Sequence, residues 1–187
     1  MALTVLSRWH CASTCILLLS SASAVLGQAD VASVPPEVRK TVDAFLGHWS
    51  LSGTFNERIS AAPSRVTGTM DCELTVGGIA VRCRVTNVDS GGAQIEIATT
   101  AGYSPDDNRV HLMEAATPGL YHQHAGRWKG SVIQFDRLTK SVGGKRIVED
   151  FAIGFPSLGR MTISATEYDG RDRSTLRLVG TRVVGVK

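Results

Sequence analysis

The chain has 187 residues and nearly balanced charge, with 20 Lys and Arg against 17 Asp and Glu. A chain of this length fits one domain that can bury a full core. No basic run stands out, so we expect neither nucleic acid nor an anionic membrane surface as a partner.

The first residues have the order of a secretory signal peptide. Arg8 precedes an apolar stretch centred on residues 16–19, and small residues follow at 22–24. The stretch is too short and too rich in serine for a stable membrane span. We therefore predict a signal peptide at residues 1–27, export to the periplasm or the medium, and no membrane span in the mature form. Removal of Arg8 with this peptide lowers the net charge from +3 to +2.

A short leader and one helix precede the remaining chain. Residues 28–36 are polar and contain proline, which predicts a flexible leader. Pro36 then opens a predicted helix that Gly47 ends. The apolar residues that share one helix face are Val38, Val42, Phe45 and Leu46. A single amphipathic helix before a sheet typically closes one end of a barrel, and we expect that role here.

From Gly47 onwards, apolar and polar residues alternate along short segments of the sequence. Turn residues, among them Ala125 and Gly126, separate these segments. This period is typical of antiparallel strands with one buried face. We predict an all-β domain over residues 37–187, with about ten antiparallel strands closed into a barrel behind one short N-terminal helix. A closed barrel has an interior that can hold a small molecule.

Cys72 and Cys83 are the cysteines left after the signal peptide, and an even pair in an exported domain favours a disulfide. They are equidistant from the Gly77–Gly78 turn. A two-residue loop would place them at a hydrogen-bonded pair with Cα atoms about 5.5 Å apart, and a four-residue loop at the closer pair, about 4.5 Å apart. Redox-active cysteine pairs are usually closely spaced in sequence, and these two cysteines are not. We therefore predict a structural disulfide.

His122 and His124 lie on the same face of a predicted strand. Two imidazoles at this spacing can bind a metal ion if a third ligand comes from a neighbouring strand. Glu114 and His111 are on the preceding strand but on opposite faces, so at most one of them can join. The alternative is a hairpin end with solvated histidines, and the sequence favours this alternative.

Several charged residues fall on otherwise apolar faces, notably Glu149, Glu114 and Arg182. A charge inside a barrel is costly unless it is paired, so such residues pair with each other or orient a polar group of a ligand. If Glu149 and Arg182 both point inward, they are the best candidates to anchor a ligand's polar end. A carboxylate in an apolar cavity can also acquire a raised pKa and act in general acid or base catalysis.

Three short motifs resemble a known barrel family. They are Leu46-Gly47-His48-Trp49-Ser50-Leu51-Ser52-Gly53, Ala101-Gly102-Tyr103-Ser104-Pro105-Asp106 and Gly126-Arg127-Trp128-Lys129-Gly130. The first resembles the opening of lipocalin-like, or calycin, barrels. Together they resemble a bacterial exported family of unknown function that is related to nitrobindin-like haem barrels.

The resemblance implies a ten-stranded barrel with an interior cavity. It also implies that Gly47 and Trp49 are structural residues at the closed end, where a basic residue of the last strand, Arg182 or Arg177, stacks on the indole. Tyr103, in the second motif, joins Glu149, Arg182 and Glu114 as a candidate ligand contact.

Haem is disfavoured as a cofactor. In the nitrobindin-like relatives a histidine late in the chain holds the iron, but this sequence has no histidine after His124. His122 and His124 are the remaining candidates for an axial ligand. We expect no bound cofactor.

The leading hypothesis is an exported barrel that binds a small apolar or amphipathic molecule in its cavity. The first alternative is a hydrolase or isomerase that acts on a small substrate through a cavity carboxylate. The second is an interaction protein of the cell envelope that binds through an apolar patch on its outer surface.

Overall fold

The computed structural model describes residues 34–58, 61–117 and 119–185. The predicted signal peptide and most of the predicted leader lie outside these residues. The chain forms helix α1 (Pro36–Phe45) and the strands β1 (Gly47–Asn56), β2 (Ser64–Leu74), β3 (Ala80–Asp89), β4 (Gln94–Ser104), β5 (Arg109–Ala116), β6 (Leu120–Lys129), β7 (Val132–Phe135), β8 (Leu138–Val142), β9 (Lys145–Ser157), β10 (Arg160–Asp169) and β11 (Asp172–Arg182). Within the described ranges, no helix has the length and apolar character needed to span a bilayer.

The sheet is antiparallel and closes on itself, which confirms the predicted all-β barrel with one short helix. Consecutive strands pair from β1 to β7, β7 pairs with β9, β9 with β10, β10 with β11, and β11 with β1. Ten strand positions complete the ring because β7 and β8 pair with different halves of β9. Alternate side chains of every strand therefore point into one shared interior.

One line of the ring lacks backbone pairing. β7 pairs with residues 126–129 of β6, whereas β8 pairs only with β9 within the described part of the chain. Residues 120–124 of β6 therefore face β8 without a ladder, and we call this line the β6–β8 seam.

The predicted turn at Ala125 and Gly126 is wrong, because both residues lie inside β6. A Cβ atom on Gly126 would lie 2.6 Å from the Gln134 carbonyl oxygen and 2.8 Å from the Cα atom of Phe135. The glycine thus permits close contact with β7 and does not mark a chain reversal.

Helix α1 closes one end of the barrel, and its buried face consists of Val38, Thr41, Val42 and Phe45. Its last carbonyls have no partner within the helix and need donors from elsewhere. Arg182 Nη2 donates to the carbonyl oxygens of Asp43 and Ala44 at 2.9 and 3.1 Å, and Trp49 Nε1 donates to that of Phe45 at 2.8 Å. The last and first strands thereby fasten the helix to the barrel.

Trp49 and Arg182 also contact each other, as the family resemblance implied. The guanidinium carbon lies 4.7 Å from the centre of the indole ring. Gly47 has φ +114°, a value that side-chain-bearing residues rarely adopt, and it brings the chain from the helix into β1. Gly47 and Trp49 thus lie at the end of the barrel that α1 closes.

The disulfide between Cys72 and Cys83 is present and confirms the predicted pairing, with Cα atoms 4.1 Å apart. The Thr75 N–H donates to the Ala80 carbonyl oxygen at 2.9 Å, which makes the loop four residues long. The cysteines then fall at a closely spaced pair, which is the second of the two registers that the sequence left open.

Replacing both Cys72 and Cys83 with alanine should lower the free energy of unfolding by about 3 kcal/mol, because the unfolded chain loses a short covalent loop. Urea unfolding of the oxidised protein, the reduced protein and the double variant checks this value. The reduced protein and the double variant should agree; equal stability of all three would contradict the prediction.

Replacing Arg182 with methionine should keep the packing of the side-chain stem but remove the hydrogen bonds to α1 and the contact with Trp49. We expect a loss of about 2 kcal/mol in the free energy of unfolding. Arg177→Met is the matched control, since Arg177 is exposed on the same strand. Equal effects of the two substitutions in urea unfolding would show that Arg182 does not fasten the helix.

Candidate functional site

The barrel contains a cavity of about 410 Å³. Phe45 of α1 lines it, so the helix forms its floor, and Glu167 and Ser174 line it near the opposite end of their strands. Most of the lining is apolar and includes Phe55, Val66, Met70, Val85, Ile97 and Leu176. The interior is therefore a hollow with an apolar floor and one largely apolar side.

The other side of the cavity has a continuous group of polar side chains, which we call the polar wall. Its members come from β5, β6, β8, β9, β10 and β11, and they are Glu114, His122, His124, Lys140, Glu149, Glu167 and Ser174. Every one of them lies at an inward position of its strand, so the wall follows directly from the alternation of side chains in the sheet.

Lys140 joins two carboxylates that face each other across neighbouring strands. Glu149 and Glu167 are register partners in β9 and β10, where two like charges destabilise a sheet. Lys140 Nζ lies 2.7 Å from Glu149 Oε2 and 2.6 Å from Glu167 Oε1. Burial lowers the pKa of Lys140, but the hydrogen bonds to the two carboxylates outweigh burial and raise it. The ammonium group is therefore charged at neutral pH.

Glu114 joins the two histidines. Its Oε2 atom lies 3.0 Å from His122 Nε2 and 3.2 Å from His124 Nε2. Burial raises the pKa of Glu114, but hydrogen bonds from both imidazoles outweigh burial and lower it to about 2. This direction is opposite to the raised pKa that a cavity carboxylate needs to act as a general acid near neutral pH. Glu114 is an ionised acceptor.

The polar wall also crosses the β6–β8 seam. His124 Nε2 on β6 lies 4.0 Å from Glu149 Oε2 on β9, and Lys140 of β8 bonds to the same oxygen. His124 also packs against Phe135 and Phe151, with ring centres 5.6 and 4.8 Å away. Side chains thus connect the two sides of the seam where the backbone ladder does not.

Asn87 is a buried polar residue on the opposite side of the cavity. It is 9% exposed, and its Oδ1 atom has no hydrogen-bond partner among the described residues. A Cβ atom on Gly68 would lie 2.5 Å from that oxygen, so the glycine on β2 makes room for the amide. The amide is a further polar group of the lining, which also includes Asp89 and Thr99 outside the polar wall.

Four of the six residues predicted from the sequence to contact a ligand, a metal or haem belong to the polar wall. Glu114, Glu149 and His122 line the cavity, and His124 lies directly behind them. The expectation of solvated histidines is wrong, because the side chains of His122 and His124 are 12% and 0% exposed. Of the two possible third members, Glu114 joins them, whereas His111 pairs with Asp107 outside.

Arg182 and Tyr103 do not line this cavity. Arg182 bonds to α1 and is not a partner of Glu149. Tyr103 lines a separate cleft beside α1 with Lys40 and Trp128, and its hydroxyl donates to Asn108. The inferred pair of Glu149 and Arg182 is thus replaced by Glu149 and Lys140.

The sequence analysis did not identify Lys140, although a signal was present. Leu138, Lys140 and Val142 alternate with more exposed residues, which places the lysine on an apolar face. The strand has only five residues and was not predicted. Lys140 was missed because its strand was missed.

The polar wall does not fit haem. Both candidate axial histidines already face Glu114 through Nε2. A haem would also bring two carboxylate groups into a cavity whose lining already contains Glu114, Glu149 and Glu167, and like charges in a partly buried site repel. Among the described residues that line the cavity, Lys140 is the one cation that could pair with those carboxylates.

The fold and cavity define a closed antiparallel barrel of the lipocalin-like type. No protein-family model and no curated protein matches the chain. Among solved structures, the S-type phycobiliprotein lyase from Guillardia theta is similar, with a TM-score of 0.56 and 11% identity over 80% of this chain and 94% of that one. A de novo designed fluorescence-activating β-barrel aligns with a TM-score of 0.43 and 11% identity over 76% of this chain and 96% of that one. At these identities the comparison with the lyase shows a shared fold.

Glu114→Gln should lower the free energy of unfolding at neutral pH by on the order of 3 kcal/mol. This is the free energy that corresponds to lowering the pKa of Glu114 from 4.5 to about 2 on folding. A lowered folded-state pKa stabilises the protein above pH 4.5, and this contribution is lost as the pH falls towards 2. The stability difference between wild type and variant should therefore shrink over that range. Urea unfolding of both proteins at several pH values, in the presence of a chelator, measures this stability difference.

Glu73→Gln is the matched control, because Glu73 pairs with Arg82 on the exposed face. Exposed pairs contribute little, so this variant should stay close to wild type. A stability difference for Glu114→Gln that does not change with pH would contradict the prediction.

Proposed function

We propose that this protein is an exported carrier or receptor that binds a small amphipathic molecule inside its barrel. The observation that carries the proposal is the cavity of about 410 Å³ with one polar wall and otherwise mostly apolar lining. Small-molecule sites are typically concave and apolar, with a few polar groups that fix the orientation of the ligand.

The two sides of the cavity set the orientation of the ligand. Its apolar body would pack against Phe55, Val85 and Ile97 and against Phe45 at the floor. Its polar end would face Glu114, His122 and Glu149, which line the cavity. Because carboxylates are acceptors, a hydrogen-bond donor on the ligand suits this wall best.

Export and kinship complete the proposal. The signal-peptide pattern at residues 1–27 and the disulfide support an oxidising compartment, the periplasm or the medium. The three motifs support kinship with the exported bacterial family. The likeness to the phycobiliprotein lyase supports the barrel only, and its activity is not carried over.

Filling the cavity should abolish binding. Ile97→Trp places a large side chain in the hollow, whereas Ala98→Trp places it on the exposed face of the same strand. We expect the neutral fluorescent probe N-phenyl-1-naphthylamine to bind wild type and Ala98→Trp alike, and to bind Ile97→Trp at least about tenfold more weakly, a loss of about 1.4 kcal/mol.

Circular dichroism and thermal unfolding verify that the variants fold, and Leu176→Trp fills the cavity from another strand if Ile97→Trp does not fold. Native mass spectrometry after incubation with a cell extract then identifies natural ligands. Probe binding that survives in both cavity-filled variants would disprove an interior site.

A further inference from the structure

We propose that Glu114, His122 and His124 bind one divalent transition-metal ion of the zinc class, with an open coordination position that faces the cavity. This site goes beyond the binding of a small molecule, since it gives the barrel a Lewis acid beside the bound ligand. Each residue offers one ligand atom, and the three atoms lie within 4.8 Å of one another.

The donor set matches this kind of ion. Two imidazole nitrogens and one carboxylate oxygen suit Zn²⁺ and Fe²⁺, and three protein ligands leave room for water or substrate. Ligands of one tetrahedral ion with bonds of about 2.0 Å lie about 3.3 Å apart. Glu114 Oε2 lies 3.0 and 3.2 Å from the two Nε2 atoms, so these separations are already close to that value.

The backbone holds the three residues in place. Glu114 and His122 are register partners in β5 and β6, and His124 follows two residues later on the same inward face. The side chains are 17%, 12% and 0% exposed, in the order Glu114, His122, His124. Ligands on paired strands need little ordering when an ion binds.

The excess of carboxylate groups in the polar wall favours the binding of a cation. In the described polar wall, Glu114, Glu149 and Glu167 face one ammonium group, that of Lys140, so the carboxylates outnumber it by two. Buried excess charge is costly, and one divalent ion would neutralise it. Lys140 bonds to Glu149 and Glu167. Glu114 therefore has no cationic partner in the described wall except its histidines.

The surroundings of His124 point the same way. Its Nδ1 atom is buried without a hydrogen-bond partner in the described structure, and the ring packs on Phe135 and Phe151. Aromatic faces accommodate an N–H better than a lone pair, which favours the proton on Nδ1. With the proton on Nδ1, Nε2 can bind a metal ion in place of the proton that it otherwise donates to Glu114.

Metal titrations test the proposal. The full-length protein is treated with a chelator, exchanged into metal-free buffer and titrated with Zn²⁺ by calorimetry and with Co²⁺ by visible absorption. We expect one ion per chain and the d–d bands of a low-symmetry Co²⁺ site. His122→Ala and Glu114→Gln should each weaken binding by at least about tenfold, because only two of the three ligands remain.

His111→Ala and His48→Ala are matched controls, since both histidines pair with an aspartate on the outer face. They should bind as wild type does. His122→Gln replaces His122→Ala if the latter does not fold. Absence of binding to wild type would overturn the proposal, and so would equal loss in the control variants. Either outcome leaves the naphthylamine result unaffected, because that probe does not bind metal.

Discussion

Closure of the sheet is the constraint on which the rest of the structure depends. Pairing of β9 with β10 and of β11 with β1 completes a ring, so the inward side chains of all strands share one space. Residues far apart in the chain, such as Glu114 and Glu167, thereby become members of one wall. The cavity, its polarity and the contact between histidines and carboxylates all follow from this ring.

The sequence predicts the architecture well because a two-residue period is a direct consequence of strand geometry. For the later strands, alternation put Glu149 on an apolar face but did not fix whether that face points inward, and the structure shows that it does. The cysteine pairing could be derived because both cysteines are equidistant from one turn. The helix was predicted from its proline start and its apolar face.

The site was harder to predict, because its partners depend on which strands become neighbours. Alternation puts Glu114 and His122 on inward faces, but it does not reveal that Lys140 lies between Glu149 and Glu167. β8 is too short to show a period, and Gly126 gives the same signal in a strand as in a turn. The two histidines were predicted to be solvated for a related reason. Whether the end of a hairpin is buried depends on all the strands that surround it in the closed barrel.

The β6–β8 seam has a mechanical consequence for the barrel. Along most of its circumference the wall is held by ladder hydrogen bonds, whereas here it is held by imidazole, carboxylate and ammonium groups. Local opening is easiest where cooperative backbone bonding is weakest. The side chains proposed to contact a ligand are also those that hold the two sides of the β6–β8 seam together. Ligand binding and local opening of the barrel would therefore depend on the same few charged groups.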